Sequence, residues 1–328
     1  MPKNLIYNHC QLCPRNCGAN RSNGKLGYCG ESDQLRIATI EAHFGEEPPI
    51  SGTHGSGTVF FSGCSLKCIY CQNYQISHQH IGRIMTLEEV VDRLIHLVVE
   101  HHVHNINFVT PDHFFPHTIE IVTSLRRHGV SIPVVYNLSG YQSLGSLAMI
   151  EDVADIYLPD FKYGQEMLAK TLSNCEDYPI VALTAISEMV RQKGYLDCFL
   201  DDSSEPNSVA TRGVLVRHLM IPGQVKNSIE ALTMLFLEFG KRLPISLMSQ
   251  YCPIRRFSLD FLNQTVSPTE FHQVYRHALE LGFENLFVQF PEPSVTSRPF
   301  LPDFSQPIPF QGNIIMQRRA QSANKPNF

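Results

Sequence analysis

Three absences narrow the function of this sequence. None of its 328 residues belongs to an uninterrupted apolar run of about 18, the length of a membrane-spanning helix, so we expect no membrane partner. The opening segment MPKNLIYNHCQLCPRNC lacks the apolar core of a secretory signal, which predicts a cytoplasmic protein. The 26 lysines and arginines are scattered and the net charge is −5, so the basic surface of a nucleic-acid-binding protein is not expected.

Cysteine, in contrast, is concentrated at one end of the chain. Seven of the ten cysteines fall within the first 71 residues, most of them two or three residues apart. This spacing suits metal ligation better than disulfide pairing. The sequence therefore predicts metal chemistry.

From residue 58 onward, strand-like and helix-like segments alternate, which predicts an α/β fold with a parallel sheet. A helix is expected to begin after Thr86, whose side chain can form a capping box with Glu89, and another to end at Gly282. We divide the chain into a cysteine-rich metal-binding segment (1–50), a core (51–290) and a Pro-rich tail (291–328). The expected strands are TVFFS (58–62), INFVT (106–110), IPVVYN (132–137), ADIYLPD (154–160), VLVRHLMI (214–221), ISLMSQ (245–250) and NLFVQF (285–290).

The loop GCSLKCIYCQN, which follows the first expected strand, holds Cys64, Cys68 and Cys71. Three thiolates can ligate three irons of a [4Fe-4S] cluster and leave the fourth iron open for another ligand. The alternative is a zinc ion that takes His78 as its fourth ligand. We expect the side chain of Tyr70 either to form a wall against an adenine ring or to pack in the hydrophobic core.

This loop resembles the signature of the radical S-adenosylmethionine (SAM) superfamily, and the wider chain resembles its uncharacterised homologues of pyruvate formate-lyase-activating enzyme. The resemblance implies an incomplete (β/α)6-type, TIM-like barrel with the cluster at its open end. It also implies reductive cleavage of SAM to a 5′-deoxyadenosyl radical, with an electron donor such as flavodoxin or ferredoxin. The motifs that carry it are FGEEPPISGTHGSGTVFFSGCSLKCIYCQNYQIS, NFVTPDHFFP, PVVYNLSGY, DIYLPDFKY, VRHLMIPG and SLMSQY.

The resemblance also implies contacts to SAM. Thr110 and Pro111, followed by Asp112, occupy the place of the superfamily's Gly-Gly-Glu, and Asn137 resembles an Asn-Gly turn that faces the cofactor. An asparagine that stabilises a turn is the alternative for Asn137.

Two cations complete the implied cofactor site. Lys162 matches the lysine that faces the methionine carboxylate in the activating enzymes, and Arg217 matches their Arg-x4-Pro-Gly. The alternative for each cation is a structural ion pair. The adjacent Glu46 and Glu47 are expected in a solvated loop.

A second group of cysteines, Cys10, Cys13, Cys17 and Cys29, has C-x2-C-x3-C-x11-C spacing. Four thiolates can close the shell of a zinc ion or hold an auxiliary iron-sulfur cluster, and the spacing does not separate the two.

The leading functional hypothesis is a radical SAM enzyme that abstracts hydrogen from a substrate, with a glycine of a protein partner as one candidate. The first alternative is radical modification of a small molecule or a peptide side chain. The second is a non-catalytic iron-sulfur or zinc protein that binds or transfers electrons. An open iron argues against the second alternative, because a pure electron carrier does not need one.

Overall fold

The computed structural model describes residues 3–199, 209–291 and 301–310. In these ranges strands and helices alternate, as the sequence predicts. The strands are β1 (Arg36–His43), β2 (Ser56–Phe61), β3 (Arg83–Ile84), β4 (Ile106–Val109), β5 (Val134–Leu138), β6 (Ile156–Pro159), β7 (Gly213–Val214), β8 (Val216–Leu219), β9 (Ile245–Met248) and β10 (Leu286–Gln289). The helices are α1 (Lys3–Asn8), α2 (Pro48–Ser51), α3 (Tyr74–Ser77), α4 (Leu87–His101), α5 (Phe115–Arg127), α6 (Leu144–Ile150), α7 (Glu166–Ser173), α8 (Tyr178–Lys193), α9 (Val225–Phe239) and α10 (Pro268–Leu281).

The strands form two sheets. The larger has the order β3-β1-β2-β4-β5-β6-β7, and the smaller has the order β10-β9-β8. Every pairing from β2 to β7 in the larger sheet is parallel, and so are both pairings in the smaller sheet. A parallel bridge between Asp160 and Arg217 links the two sheets at their carboxyl ends. The prediction of an α/β fold with a parallel sheet is confirmed, whereas the barrel stays a prediction.

One predicted strand is divided in two. The segment 214–221 contains β7 and β8, which are separated by Leu215. The Leu215 amide donates to the carbonyl of Tyr157 in β6, and the next amide, that of Val216, donates to the carbonyl of Pro244 beside β9. The chain changes its hydrogen-bonding partner at this point, and the two sheets therefore meet here.

Two strands were not expected from the sequence. Strand β1 runs antiparallel to β2 and pairs on its other side with the short β3. Most of its residues are only partly buried, so the sequence carries no clean alternation of apolar and polar residues. Residues 36–43, placed by sequence in the N-terminal segment, thus join the main sheet, and the division into domains stays a prediction.

The predicted helix ends are confirmed at both capping sites. Thr86 and Glu89 form a reciprocal capping box at the start of α4, and Gly282 adopts the left-handed conformation after α10. Strands β2, β4 and β6 are buried along their whole length. Within the described residues, no helix combines the length and the apolarity that crossing a bilayer requires.

Candidate active site

The three-cysteine loop leaves the carboxyl end of β2 through Gly63. Gly63 has φ of +82°, and a Cβ atom built there would lie 2.6 Å from Cγ of Glu31 and 3.0 Å from the carbonyl oxygen of Cys29. Only glycine fits this turn, because both the backbone conformation and the close neighbours exclude a side chain. The amide of Cys64 then donates to the Cys29 carbonyl at 3.3 Å, which joins the loop to the N-terminal segment.

Each sulfur of the loop accepts a hydrogen bond. The amides of Leu66 and Lys67 lie 3.3 and 3.5 Å from Sγ of Cys64. Ser173 Oγ donates to Sγ of Cys68 at 3.0 Å, and Ser77 Oγ donates to Sγ of Cys71 at 3.3 Å. Donors aimed at all three sulfurs suit thiolate ligands, which carry negative charge.

The three cysteines fit an iron-sulfur cluster better than a single ion. All three line one pocket of about 260 Å³. Burial, followed by the neighbouring thiols, raises the pKa of Cys64, so the sulfur of Cys64 needs a cationic centre to become a thiolate. Within the described residues, no three His, Cys, Asp or Glu side chains are arranged as a single metal ion requires. A four-iron cluster attaches each cysteine to a different iron, so it does not need this convergence.

The arrangement of the His, Cys, Asp and Glu side chains in the described residues also bears on the two other predicted metal sites. The zinc alternative with His78 receives no support from the geometry, and Ser77 Oγ lies 2.8 Å from Nδ1 of that histidine. In the N-terminal group, Cys10, Cys13 and Cys29 are buried while Cys17 is exposed. A second metal at this group stays a prediction.

The pocket lies where the carboxyl ends of the parallel strands meet. Thr110 follows β4, Asn137 lies in β5, Lys162 follows β6 and Arg217 lies in β8, and all four line the pocket together with Tyr70. Pro111 is buried but does not belong to the described lining, and neither does Asp112, which is hydrogen bonded to Gln142. The structure thus brings together five of the six predicted cofactor-binding residues.

Thr110 has an unusual backbone conformation. Its φ is +54°, in the left-handed region that a β-branched residue seldom adopts. The resemblance aligns it with the first glycine of Gly-Gly-Glu, and glycine takes this conformation without strain. The turn after β4 therefore keeps a glycine-like backbone although the side chain is threonine.

Lys162 lies in the pocket as half of an ion pair with Asp160. Burial alone would lower its pKa, but Asp160 and the sulfur of Cys68 more than offset this effect, so its pKa is raised and it stays charged. The cation is oriented toward the cysteine loop.

The expectation that Glu46 and Glu47 lie in a solvated loop is wrong. Their side chains are only 6% and 8% exposed, and both pair with the guanidinium of Arg217, which is 9% exposed. Nε of Arg217 lies 3.0 Å from Oε1 of Glu47. A charge this deeply buried needs an opposite charge beside it, and Arg217 comes from β8, some 170 residues away in sequence.

Glu46 also anchors the neighbouring strands. Its Oε1 accepts from Nδ2 of Asn107 at 2.7 Å and of Asn137 at 3.2 Å. Burial raises the pKa of Glu46, but the charge of Arg217 outweighs it and the pKa is lowered, so the carboxylate is ionised. Asn137 thus binds a carboxylate here. A signal was present in the sequence, since the arginine in the apolar strand VLVRHLMI demands an acidic partner.

Tyr70 is buried at the wall of the pocket. Its ring packs edge-on against Tyr251 with centroids 6.1 Å apart. Burial raises its pKa well above the usual value. The adenine contact stays a prediction.

The described part of the C-terminal tail covers one side of the pocket. Pro302 and Phe310 line it, and Phe304 and Phe310 pack on Phe60. The amide of Phe304 donates to Oε1 of Gln75 in α3, directly after the cysteine loop, at 2.8 Å.

Comparisons with known proteins found one matching family model, one curated relative and several solved structures. Residues 58–171 match the model of the radical SAM superfamily. An uncharacterized protein of Methanocaldococcus jannaschii is 26% identical over 257 residues, which are 76% of this chain and 67% of that protein. Streptococcus suis SuiB bound to S-adenosylmethionine is similar in structure, with 7% identity and a TM-score of 0.44, over 71% of this chain and 46% of that chain. HydG, a maturase of the [FeFe]-hydrogenase, is similar with 17% identity and a TM-score of 0.48, over 70% of this chain and 50% of that chain. The chain spans about half the length of these solved chains. The segment that is similar to the radical SAM superfamily thus contains the three-cysteine loop.

Proposed function

We propose that the protein is a radical SAM enzyme that abstracts a hydrogen atom from its substrate. The observation that carries this proposal is the convergence of Cys64, Cys68 and Cys71, each with a hydrogen-bond donor, on one pocket within the matched segment. Cys64, Cys68 and Cys71 would hold a [4Fe-4S] cluster, which would supply the electron that splits SAM into methionine and a 5′-deoxyadenosyl radical.

The chain's own residues bind and orient the reactants. Lys162 supplies a positive charge beside the sulfurs of Cys68 and Cys71, where it suits the carboxylate of methionine. Asn137 and Thr110 line the same pocket at the ends of β5 and β4. The buried position of the loop keeps water from a reactive radical. A donor such as flavodoxin or ferredoxin would supply the electron, and hydrogen taken from the substrate would convert the radical to 5′-deoxyadenosine.

The test is a product assay. Wild type and Cys64→Ala are reconstituted with iron and sulfide without oxygen, mixed with dithionite and SAM, and analysed for 5′-deoxyadenosine by chromatography. Cys198→Ala, at a half-buried thiol outside the loop, is the matched control. We expect product from wild type and Cys198→Ala and none from Cys64→Ala. Equal product from Cys64→Ala contradicts the proposal.

The finer proposal for the substrate is a glycine of a protein partner, as in the activating enzymes. Its support is the similarity of the motifs around the loop, DFK at Lys162 and RHLMIPG at Arg217 to those enzymes. The test incubates the reduced protein with candidate glycyl-radical enzymes and records electron paramagnetic resonance (EPR) spectra. The absence of a glycyl signal with every partner contradicts this assignment.

One observation favours a second substrate class, a small molecule or a peptide side chain. Pro302 and Phe310 narrow a pocket of only about 260 Å³, which limits the access of a folded partner. If this class is correct, small molecules or short peptides stimulate 5′-deoxyadenosine formation in the product assay, and glycyl-radical enzymes do not.

We also propose a second metal centre, zinc or iron-sulfur, at Cys10, Cys13, Cys17 and Cys29. Its support is Arg21, which is fully buried and, among the described residues, forms no ion pair with a carboxylate. Its Nη1 lies 3.6 Å from Sγ of Cys10, so ionised thiols would balance its charge. Metal analysis of wild type and Cys10→Ala/Cys13→Ala is the test, and equal metal content in both contradicts the site. We further propose that the protein is located in the cytoplasm.

A further inference from the structure

Arg15 lies in the N-terminal segment but contacts the cysteine loop. Its Nε donates to the carbonyl of Ser65 at 3.0 Å and its Nη2 to the carbonyl of Leu66 at 3.3 Å. Both acceptors lie between Cys64 and Cys68. One guanidinium is therefore hydrogen bonded to the part of the loop that carries two of the three sulfurs.

The same guanidinium also holds the end of a helix. Nη2 donates to the carbonyl of Ser173 at 2.7 Å, and Nη1 donates to the carbonyl of Asn174. Ser173 is the last residue of α7, where the free carbonyls form the negative end of the helix dipole. Arg15 thus caps α7 with a positive charge and joins it to the cysteine loop.

The groups that Arg15 holds are the ones that donate to the sulfurs. Ser173 Oγ donates to Cys68, and the hydroxyl of Tyr163 lies 2.6 Å from Oγ of Ser173 and orients it. The amide of Leu66 donates to Cys64. A further bond, from the Ile69 amide to the Leu172 carbonyl at 2.9 Å, ties the loop to α7 independently of Arg15.

Two aromatic rings fix the plane of the guanidinium. Its central carbon lies 4.3 Å from the ring centroid of Tyr28 and 5.2 Å from that of Tyr141. A planar fork of five donors can reach four carbonyls between two rings, whereas the ammonium of lysine cannot reproduce this geometry.

We propose that Arg15 is a positioning residue for the iron-sulfur cluster: it locks the Ser65–Leu66 peptide to the end of α7, so that Leu66 and Ser173 keep their hydrogen bonds to the sulfurs of Cys64 and Cys68. The inference rests on the proposed function, because it requires a cluster at these cysteines. It gives the N-terminal segment a role in radical chemistry that does not depend on a second metal.

The experiment compares Arg15→Gln and Arg15→Lys with wild type after anaerobic reconstitution. Arg126→Gln is the matched control, because Arg126 also donates to a backbone carbonyl, that of Asp152, but on an exposed surface outside the pocket lining. Two quantities are measured: the rate at which an iron chelator removes iron, and the midpoint potential of the cluster from a redox titration followed by EPR.

We expect Arg15→Gln to lose iron roughly tenfold faster than wild type, the lower end of the usual effect of residues that support metal ligands. Its midpoint potential should be more negative, because a nearby positive charge and the bonds to sulfur both favour the reduced cluster. Arg15→Lys keeps the charge but not the fork, so iron loss stays fast while the potential returns toward the wild-type value.

The inference is overturned if Arg15→Gln matches Arg126→Gln in both iron loss and potential. If Arg15→Gln does not fold, Arg15→Lys serves as the test variant. The inference is then overturned if Arg15→Lys loses iron at the wild-type rate. A wild type that takes up no cluster refutes the proposed function together with this inference. A wild type that loads and cleaves SAM, beside an unaffected Arg15→Gln, refutes the inference alone.

Discussion

At the scale of single residues, the cysteine motif and most of the pocket lining could be predicted from sequence, whereas the partners of the buried Arg217 could not. The spacing of Cys64, Cys68 and Cys71 is local information, since all three lie within one loop after one strand. The partners of Arg217 lie in a different part of the chain, and their burial follows from the sheet topology alone. Glu46 and Glu47 were therefore placed wrongly in solvent, while Arg15 carried no recognisable signal.

The buried triad of Glu46, Glu47 and Arg217 gives the first prediction. Arg217→Met should lower the free energy of unfolding by about 3–5 kcal/mol, because it leaves two buried carboxylates without a partner. Combining Arg217→Met with Glu46→Gln and Glu47→Gln should recover at least half of this loss. Urea unfolding under anaerobic conditions measures both, and a triple variant less stable than the single one contradicts the account.

The strained turn at Thr110 gives the second. Thr110→Ala keeps a Cβ atom in the left-handed conformation and Thr110→Gly removes it, so the glycine variant should be more stable than the alanine variant by roughly 1 kcal/mol. The comparison uses the same unfolding measurement. Equal stabilities would show that φ of +54° stores no strain at this position.

At the scale of secondary-structure elements, the sequence predicted what depends on local pattern. The capping box of α4, the end of α10 at Gly282 and every strand expected from residue 58 onward are present. What it missed depends on pairing: β1 is recognisable only beside β2, and the break at Leu215 only through the partners of its amide and the next one. Periodicity describes the faces of an element and carries no information about which neighbour it meets.

The two capping boxes make a matched pair for the third prediction. Glu270 of α10 also accepts a bond from the amide of Gly223 at 2.6 Å, whereas Glu89 of α4 pairs instead with the exposed Arg83. Glu270→Ala should therefore cost about 1 kcal/mol more stability than Glu89→Ala, the contribution of one additional hydrogen bond. Thermal unfolding of both variants gives the comparison, and a larger loss in Glu89→Ala would be contrary to it.

At the scale of the whole molecule, segments distant in sequence enclose one pocket. The N-terminal segment braces the cysteine loop through Arg15 and the Cys29 carbonyl, and residues 301–310 cover the side next to Phe60. The sequence marked the tail only by its prolines and did not indicate where it packs. The predicted parts of the tail at 292–300 and 311–328 lie outside the described residues.

The tail supplies the fourth prediction. Phe304→Ala/Phe310→Ala should loosen this wall and weaken SAM binding to the reconstituted protein several-fold, because both rings are more than nine-tenths buried against residues that line the pocket. Ile308→Ala, at an exposed side chain of the same segment, is the control and should bind as wild type does. Equilibrium dialysis measures the affinity, and equal binding by the double variant would place the tail outside the cofactor site.

The central claim is that three cysteines hold a cluster with one iron open to SAM. The most direct measurement is the EPR spectrum of the reduced, reconstituted protein with and without SAM, beside the Cys64→Ala/Cys68→Ala/Cys71→Ala variant. The account predicts a cluster signal in wild type that changes when SAM binds and is lost in the triple variant, apart from any signal of the N-terminal cysteines. A wild-type signal that SAM leaves unchanged, or one that persists in full without the three cysteines, would contradict it.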